Sequence, residues 1–328
     1  MFRWGIVSTA KIAREQVVPA IMQSDSSVVT AVASRDAGRA ADFARRFNIA
    51  HAFEGYQAML ESDVVDGIYI PLVTSQHVEW AIRGAQAGKH VLVEKPLALN
   101  AGDIAPVIAA RDAAGVVVSE AFMVTYHPQW LKARALIAEG AIGRLRMVQG
   151  AFSYFNRDPT NMRNMPELGG GALPDIGVYP TVATRFVTGQ EPLDVTAIME
   201  RDADFGTDIY ANVAMRFDGF DLAFYVATQL AARQVMVFHG DAGFIEVQSP
   251  FNASIYDSDK VIVHDAGHTQ ARVFAFPAVH QYEHQIDAFV RHVRGEDQPI
   301  FTLEQSVANQ RAIDAIYRAA ETGQRQPV

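Results

Sequence analysis

The first third of the chain alternates short apolar runs with helical patterns, and this alternation constrains the fold more than any other feature. The predicted strands are residues 3–8, 28–34, 65–70, 90–95 and 115–122. The predicted helices between them are residues 13–23, 38–47, 56–61 and 77–87. Apolar strands separated by helices are typical of a parallel sheet covered on both faces. Right-handed crossovers then give a doubly wound sheet, whose ligands bind beyond the carboxyl ends of the strands.

The pattern changes after a predicted helix within residues 122–143. Closely spaced runs with alternating apolar residues and Asp-Gly turns now predict an antiparallel meander. The runs are LRMVQGAFSY, LDVTAIME, YANVAMRF, DLAFYVAT, RQVMVFHG, GFIEVQS and ASIYDSD, and helices are predicted at about 282–294 and 303–320. We therefore predict an α/β protein with two domains. Residues 1–121 form the doubly wound domain, and residues 122–328 form an α+β domain with a large, open, mainly antiparallel sheet.

The composition excludes several classes of function. A chain of 328 residues is long enough for two domains. Its net charge of −9 and the lack of a basic stripe argue against nucleic-acid or anionic-membrane partners. The sequence has no cysteine, which excludes disulfides and thiolate chemistry. No apolar run approaches the roughly 20 residues that span a bilayer, and no secretion signal precedes FRWGIVS, so we expect a cytoplasmic protein.

The turn after the first predicted strand reads GIVSTAKIA. A dinucleotide-binding turn has the pattern G-x-G-x-x-G, and only Gly5 matches a glycine position. The other positions carry small residues, which still allow a pyrophosphate to approach the helix N-terminus. Two interpretations stay open: a dinucleotide-binding turn, or an ordinary βα turn capped by Ser8 or Thr9. In the first, the predicted contacts are Ser8, Thr9, Ala10, Lys11 and Ile12.

The end of the second predicted strand, AVASRDAGRA, bears on the choice of cofactor. An acid at this place binds the ribose 2′-hydroxyl of NAD, whereas a basic residue accommodates the 2′-phosphate of NADP. Ser34 and Arg35 occupy the position, and Arg39 follows one helical turn later. We therefore predict NADP(H). A shift of one residue would make Asp36 the ribose acid and favour NAD, and solvated charges at a helix start are a third interpretation.

The stretch GKHVLVEKPLALN ends an apolar strand with a charged pair and a proline. In a parallel sheet, this places Lys95 at the carboxyl edge, where a nicotinamide ring would lie. Oxidation of a hydroxyl needs a base and the reverse reduction needs an acid, and a lysine can serve as both. Pro96 fixes the backbone that directs the lysine, and its peptide bond is a candidate for the cis form. Glu94 is a candidate for orienting the lysine.

Three stretches in order resemble one enzyme family: WGIVSTAKIA, VEKPLALN and ELGGGALPDIGVYPTVATRFVTGQEP. With them, nearly the whole chain resembles the Gfo/Idh/MocA oxidoreductases, the family of glucose–fructose oxidoreductase and inositol dehydrogenase. The resemblance implies an N-terminal Rossmann domain, and a C-terminal domain whose sheet forms a homo-oligomer, a dimer or a tetramer. It also implies hydride transfer between a nicotinamide and a sugar-like hydroxyl or carbonyl, for which no metal ion is needed.

The resemblance implies roles for individual residues. Lys95 matches the family's catalytic lysine, and Asp175 and Tyr179 match its D-x-x-x-[HY] pair. Residues four apart share one face of a helix. Taken without the family, Asp175 could be a helix N-cap and Tyr179 a core aromatic residue, and His77 could cap its own helix. The positions that match cofactor contacts in the family are Pro71, Leu72, Thr74, His77, Glu94, Lys95, Arg163 and Tyr282.

The stretches DPTNMRNMPELGGGALPDIGVYP and EAFMVTYHPQW look most like the NADP-dependent D-xylose and trans-dihydrodiol dehydrogenases. We therefore predict an aldose 1-dehydrogenase that acts on a D-xylose-like sugar. The alternatives are a trans-dihydrodiol dehydrogenase and a 1,5-anhydro-D-fructose-type reductase, so the expected partner is a small sugar or diol. A non-catalytic NADP-sensing protein is a further alternative, but a sensor would not need Lys95, Asp175 and Tyr179.

Overall fold

The computed structural model describes residues 1–253 and 259–328, and it divides into two compact units. The first unit comprises Met1–Met123 and His280–Val307, and the second comprises Val124–Val279 and Ala308–Val328. The first crossing between units therefore lies two residues beyond the predicted boundary at 121. The predicted division into 1–121 and 122–328 did not include the return of residues 280–307 to the first unit.

Strands and helices alternate through the N-terminal part of the first unit. The elements are β1 (Phe2–Val7), α1 (Val18–Gln23), β2 (Ser27–Ser34), α2 (Ala37–Phe47), β3 (His51–Glu54), α3 (Tyr56–Leu60), β4 (Gly67–Ile70), α4 (His77–Gln86), β5 (His90–Val93), α5 (Ala105–Ala114) and β6 (Val118–Glu120). All neighbouring strands are parallel, in the order β3-β2-β1-β4-β5-β6. The doubly wound Rossmann sheet predicted from the alternation is confirmed, whereas β3 and α5 were not predicted.

The second unit begins with a helix and continues mainly as strands. Its elements up to residue 276 are α6 (Pro128–Ala138), β7 (Leu145–Phe155), α7 (Val178–Thr188), β8 (Asp194–Arg201), β9 (Asp208–Arg216), β10 (Asp221–Ala227), β11 (Gln229–Gly240), β12 (Gly243–Val247), β13 (Asp259–Asp265) and β14 (Ala271–Phe276). The chain ends with α8 (Gln281–Val293), α9 (Leu303–Thr322) and β15 (Gln326–Pro327). Most of the predicted run ASIYDSD, residues 254–258, lies outside the described residues.

Among the residues that the structure describes, the second sheet has nine strands, in the order β14-β13-β12-β11-β7-β10-β9-β8-β15. The large, mainly antiparallel sheet is confirmed, but the prediction of a simple meander is wrong for β7. This strand lies between β11 and β10 and pairs in parallel with β10. The reason is that α7 carries the chain away from β7, and the antiparallel strands β8, β9 and β10 then return to its side. Parallel neighbours require such a crossover.

The central strands of the first sheet, β1, β4 and β5, are buried on both faces because most of their residues are apolar. In β4, Ile68 and Ile70 lie in one hydrophobic cluster and Tyr69 lies in the other. The cluster around Tyr69 includes Phe289 and Val290 of α8. Burial of each such side chain contributes roughly 1.5–3 kcal/mol. The apolar face of α8 therefore explains why residues 280–307 belong to the first unit.

We expect Phe289→Ala to destabilise the first unit by about 3–5 kcal/mol. Phe289 is 1% exposed, and its ring centroid lies 5.3 Å from that of Trp4, so the shorter side chain leaves a cavity. The matched control is His284→Ala, at an exposed position of the same helix, with an expected change within about 0.5 kcal/mol. Urea unfolding measures both, and equal effects of the two substitutions would contradict this packing of α8.

Candidate active site

The turn after β5 contains Glu94, Lys95 and Pro96, at the carboxyl edge of the parallel sheet. The peptide bond between Lys95 and Pro96 is cis, which agrees with the prediction. Glu94 and Lys95 are both half-buried, whereas Pro96 and Leu97, which follow them, are buried.

Three side chains hold this turn: one contacts the carboxylate of Glu94, and two contact the backbone. The hydroxyl of Tyr69 donates to Glu94 Oε1 at 2.5 Å. The backbone N–H of Leu97 donates to Glu120 Oε1 at 2.8 Å, and the ring of His77 reaches the carbonyl oxygen of Pro96 through Nδ1 at 2.8 Å. These contacts come from β4, β6 and α4, so the position of Lys95 depends on three neighbouring elements. Glu120 was not among the predicted site residues.

His77 is buried, and its second ring nitrogen lies 2.9 Å from the carbonyl oxygen of Leu72. The alternative that His77 caps its own helix is therefore wrong. Burial lowers the pKa of His77, and the charge of Lys95 lowers it further, although the two carbonyl oxygens act in the opposite direction. The imidazole links the loops after β4 and β5. Its predicted contact with cofactor, like those of Pro71, Leu72 and Thr74, stays a prediction.

The turn between β1 and α1 has an unusual backbone. Ser8 has a φ of 107°, its N–H donates to Ala33 O at 2.9 Å, and its hydroxyl lies 3.4 Å from Pro71 O. The same hydroxyl accepts from the N–H of Ala10 at 3.3 Å, which satisfies one donor at the helix start. A π-helical turn, Ala13–Val17, follows, and such turns are frequent at functional sites. Residues 8–12 are partly or fully exposed, as a phosphate-binding turn requires.

At the end of β2, the acid Asp36 and the basic residue Arg35 make different contacts. Asp36 is the N-cap of α2, and its Oδ1 accepts from the backbone N–H of Arg39 at 2.7 Å. Ser34 accepts from the N–H of Asp36 at 3.2 Å. Arg35 is exposed and interacts with Tyr56; burial raises the pKa of this phenol, and Arg35 partly offsets the increase. The basic side chains at this strand end therefore fit a 2′-phosphate, while an oxygen of the acid is used by the helix cap.

Tyr282 lies on α8, within the first unit, and it is close enough to Glu94 for the two to interact electrostatically. Burial raises the pKa of Tyr282, and the negative charge of Glu94 adds to the increase. The phenol is therefore neutral at physiological pH. The structure brings this predicted residue to the Lys95 turn, but whether it contacts a cofactor remains a prediction.

In the second unit, Asp175 is held by two side chains. Arg163 Nε lies 2.8 Å from Asp175 Oδ2, and the hydroxyl of Tyr154 donates to the same oxygen at 2.6 Å. The pKa of Arg163 is raised, first by the charge of Asp175 and also by Tyr154 and Tyr179. Burial raises the pKa of Tyr154, with a further contribution from Asp175. These side chains form a group of four, the Asp175 cluster: Tyr154, Arg163, Asp175 and Tyr179.

Tyr154 was not among the predicted site residues, although the strand pattern contains a signal for it. Along β7, Val148, Gly150 and Phe152 are buried, and alternation places Tyr154 on the same face. A tyrosine at the end of an otherwise apolar face is a candidate for a polar contact, because its hydroxyl needs a partner when buried. Nothing in the sequence indicates that this partner is Asp175.

Asp175 and Tyr179 occupy successive turns of a continuous helical segment. Asp175 lies in a π-helical turn, Leu173–Gly177, that leads into α7. The residue before this turn is Ala172, so the alternative in which Asp175 is the N-cap is wrong. Tyr179 is 6% exposed and packs against Phe152, with ring centroids 5.8 Å apart. The ring of Tyr179 therefore packs in the core, as the core-aromatic interpretation expected. The ring also lies close to the charge of Arg163.

The glycines before this segment allow close approach of buried groups. Gly171 has a φ of +136°, and a Cβ at this position would lie 2.1 Å from Asp208 Oδ1. Asp208 is 1% exposed; its Oδ2 accepts from Leu173 N–H at 2.7 Å, and its Oδ1 accepts from the hydroxyl of Tyr317 at 2.8 Å. Asp208 thus holds the start of the segment that carries Asp175. Neither Asp208 nor Tyr317 was predicted.

We expect Gly171→Ala to destabilise the second unit by about 1–3 kcal/mol, because of its backbone conformation and the contact with Asp208. The matched control is Gly102→Ala, since a Cβ at Gly102 has no atom within 4 Å. Its expected effect on unfolding is within about 0.5 kcal/mol. Thermal unfolding of the two variants measures the difference, and a neutral Gly171→Ala would contradict the close approach.

Within residues 1–253 and 259–328, no group of three or more His, Cys, Asp or Glu side chains is arranged to hold a metal ion. No helix within them is long and apolar enough to cross a membrane.

Comparison with known proteins gives two family matches that together span most of the chain. Residues 2–122 match the oxidoreductase family with an NAD-binding Rossmann fold, and residues 130–246 match the GFO/IDH/MocA C-terminal domain. D-xylose 1-dehydrogenase (NADP(+)) 2 from Haloferax volcanii is 32% identical over 98% of both chains. Trans-1,2-dihydrobenzene-1,2-diol dehydrogenase from Xenopus laevis is 32% identical over 75% of both.

A solved structure is similar over almost the full length. It is a 3-ketoreductase from Actinomadura kijaniata in complex with NADP and TDP-benzene, with a TM-score of 0.90 and 30% identity over 97% of each chain. The same fold in that enzyme accommodates a dinucleotide together with a TDP-containing ligand. The expected family and fold are therefore confirmed.

Proposed function

Because the chain belongs to the Gfo/Idh/MocA family, and is an NAD(P)-dependent oxidoreductase that acts on CH–OH groups of sugar-like substrates, we propose that it is an NADP(H)-dependent aldose 1-dehydrogenase. The expected substrate resembles D-xylose. The observation that carries the proposal is the Lys95 turn, held by Tyr69, His77 and Glu120 at the carboxyl edge of the sheet. This edge is where ligands of doubly wound sheets bind.

NADP(H) fits the first unit better than NAD(H). Arg35 and Arg39 are exposed at the end of β2, and Asp36 Oδ1 is used by the cap of α2. Arginine pairs well with a phosphate, whereas NAD specificity needs an acid directed to the ribose. We propose that the turn at residues 8–12 holds the pyrophosphate. When bound, the nicotinamide would supply the acceptor or donor of the hydride.

Lys95 is proposed to exchange a proton with the reacting hydroxyl. The backbone on its carboxyl side is fixed twice, by His77 at the carbonyl of Pro96 and by Glu120 at the N–H of Leu97. A group held in this way needs little reorganisation to reach a substrate proton. Oxidation of a cyclic aldose at C1 removes a hydride from carbon and a proton from oxygen, and the product is a lactone. The lysine would accept the proton and return it in the reverse reaction.

The Asp175 cluster is proposed to orient the sugar and to provide the second acid–base group. Arg163 and Tyr154 hold Asp175 Oδ2, so the carboxylate has a fixed direction. Tyr179 is proposed as the phenol that exchanges a proton, because it lies one helical turn after Asp175 and next to the charge of Arg163. A positive charge near a phenol favours its ionised form.

We expect Lys95→Ala to lower kcat by about 10²–10⁴-fold, the typical contribution of general acid–base catalysis. NADPH affinity should change little, since the residues proposed to select the phosphate lie at the ends of β1 and β2. Steady-state kinetics and fluorescence titration of NADPH measure the two effects. The matched control is Arg45→Ala, which removes an exposed positive charge of the first unit. A Lys95→Ala variant with near-normal kcat would remove the lysine from the mechanism.

Product analysis with a substrate panel tests the proposed reaction. Purified protein is incubated with NADP⁺ and aldoses or trans-dihydrodiols, and with NADPH and 1,5-anhydro-D-fructose or a TDP-linked keto-sugar. Lactone formation from D-xylose, at the highest kcat/KM of the panel, is the expected result. Preferential turnover of a diol would favour the dihydrodiol dehydrogenase. Preferential reduction of the TDP-linked sugar would favour a 3-ketoreductase, as in the enzyme from Actinomadura kijaniata.

We also propose that the protein forms a homo-oligomer through the open face of the nine-stranded sheet. Strand register places three exposed apolar side chains on the face opposite the buried core: Phe155, Ile198 and Val273, which are 68%, 72% and 56% exposed. An apolar surface of this kind is usually covered. Sedimentation equilibrium of the wild-type protein and of Ile198→Asp tests this surface. The expected result is a dimer or tetramer that the substitution weakens.

A further inference from the structure

Glu120 is a buried acid that the proposed chemistry does not yet use. It is the last residue of β6 and is 3% exposed. Burial of an ionisable carboxyl is costly unless neighbouring groups compensate. Its neighbours therefore indicate what the residue does.

The position of Glu120 is fixed by its strand and by two hydrogen bonds. In the sheet, Glu120 pairs in register with Val93, the last residue of β5, and the N–H of Ala121 donates to Val93 O at 2.8 Å. Glu120 Oε1 accepts from the N–H of Leu97 at 2.8 Å, and its carboxyl is also hydrogen-bonded to the side chain of Ser306. The carboxyl is thus attached to the backbone two residues after Lys95.

Two charged groups act on Glu120, with opposite signs. The positive charge of Lys95 favours the carboxylate, as do the hydrogen bonds from Ser306 and Leu97, whereas the negative charge of Glu94 opposes it. Burial is the largest influence, and it raises the pKa of Glu120 to about 7. Farther out, His77 faces Lys95 from α4, and Tyr69 and Tyr282 face Glu94.

We propose that Glu120 is a positioning residue for Lys95, which it controls by holding the backbone of the turn and through the charge of its buried carboxyl group. The proposal rests on the catalytic role proposed for Lys95. An ionised Glu120 carboxylate attracts the positive charge of Lys95, whereas a protonated Glu120 does not. The charge of Glu120 therefore alters the electrostatic environment in which Lys95 would exchange a proton with the substrate.

The protonation of Glu120 also affects stability, with a defined sign. Because its pKa in the folded protein lies above the ordinary value of 4.5, ionisation is less favourable in the folded state than in the unfolded state. Wild-type stability should therefore fall, relative to that of Glu120→Gln, as pH rises from about 4.5 to about 7, and the difference should stay constant above that range. The glutamine keeps the acceptor for Leu97 and has no charge to lose.

The first experiment measures this protonation without any turnover. Thermal unfolding of wild type and Glu120→Gln is recorded from pH 4.5 to pH 8.5, alone and in the Lys95→Met background. We expect the relative loss of wild-type stability to level off near pH 7, and this end point to move to higher pH by about one unit when Lys95 is Met. The control Arg45→Met, which removes an exposed positive charge outside the proposed site, should not move it. A pH-independent difference, or no shift with Lys95→Met, would overturn the proposal.

The second experiment measures the consequence for the reaction. The pH dependence of kcat/KM for the best substrate of the panel is compared among three variants. Glu120→Gln should remove an inflection near pH 7, and Ser306→Ala should move it to higher pH by withdrawing a hydrogen bond from the carboxylate. Glu304→Gln removes an exposed acid of α9, the helix that also carries Ser306, and should leave the inflection in place. Lower activity with an unchanged pH profile would reduce Glu120 to a structural residue and overturn its control of Lys95.

The two experiments separate the two proposals. If no substrate of the panel is turned over, the proposed function fails, while the unfolding experiment still decides whether the charge of Lys95 acts on the protonation of Glu120. If turnover is found and Glu120→Gln retains the wild-type stability and pH profile, the proposed function stands and the role of Glu120 fails.

Discussion

The position of the turn after β5 is the constraint on which the account of the first unit depends. A strand end alone would leave Lys95 with the freedom of a surface loop. Here, the backbone on its carboxyl side is bound twice, at the carbonyl of Pro96 by His77 and at the N–H of Leu97 by Glu120. Each bond comes from a different neighbouring element, so the geometry of the sheet determines where the lysine lies. His77 and Glu120 are both buried, and substitutions there would affect the turn as well as the local packing.

In the second unit, neighbouring side chains hold Asp175 in a similar way. Its carboxylate is fixed by Arg163 and Tyr154, and the segment that carries it begins at a backbone N–H bound by Asp208. Tyr317 holds Asp208 in turn. The polar groups nearest the proposed chemistry are therefore supported by a further layer of buried polar groups. Such support preserves the orientation of a functional side chain, and its loss often costs activity without large changes in fold.

Local patterns in the sequence predict much of this architecture, because apolar runs and turn residues are local signals. They gave the parallel sheet, the mainly antiparallel sheet and, with the resemblance, the functional candidates Lys95, Asp175 and Tyr179. Contacts between distant residues were not predictable in this way. Glu120 lies 23 residues from its partner Leu97, and Tyr154 lies 21 residues from Asp175. The placement of β7 beside β10, and the return of α8 to the first unit, depend on packing that no single segment encodes.

The carboxyl edge of the first sheet is proposed to bind NADP(H), with Arg35 selecting the 2′-phosphate. A titration of the wild-type protein and of Arg35→Ala with NADPH and NADH, followed by quenching of intrinsic fluorescence, tests this proposal. We expect NADPH to bind at least about tenfold more tightly than NADH, which corresponds to about 1.4 kcal/mol, and Arg35→Ala to remove most of this preference. Tighter binding of NADH would assign the ribose to Asp36, and binding of neither nucleotide would contradict the proposed site.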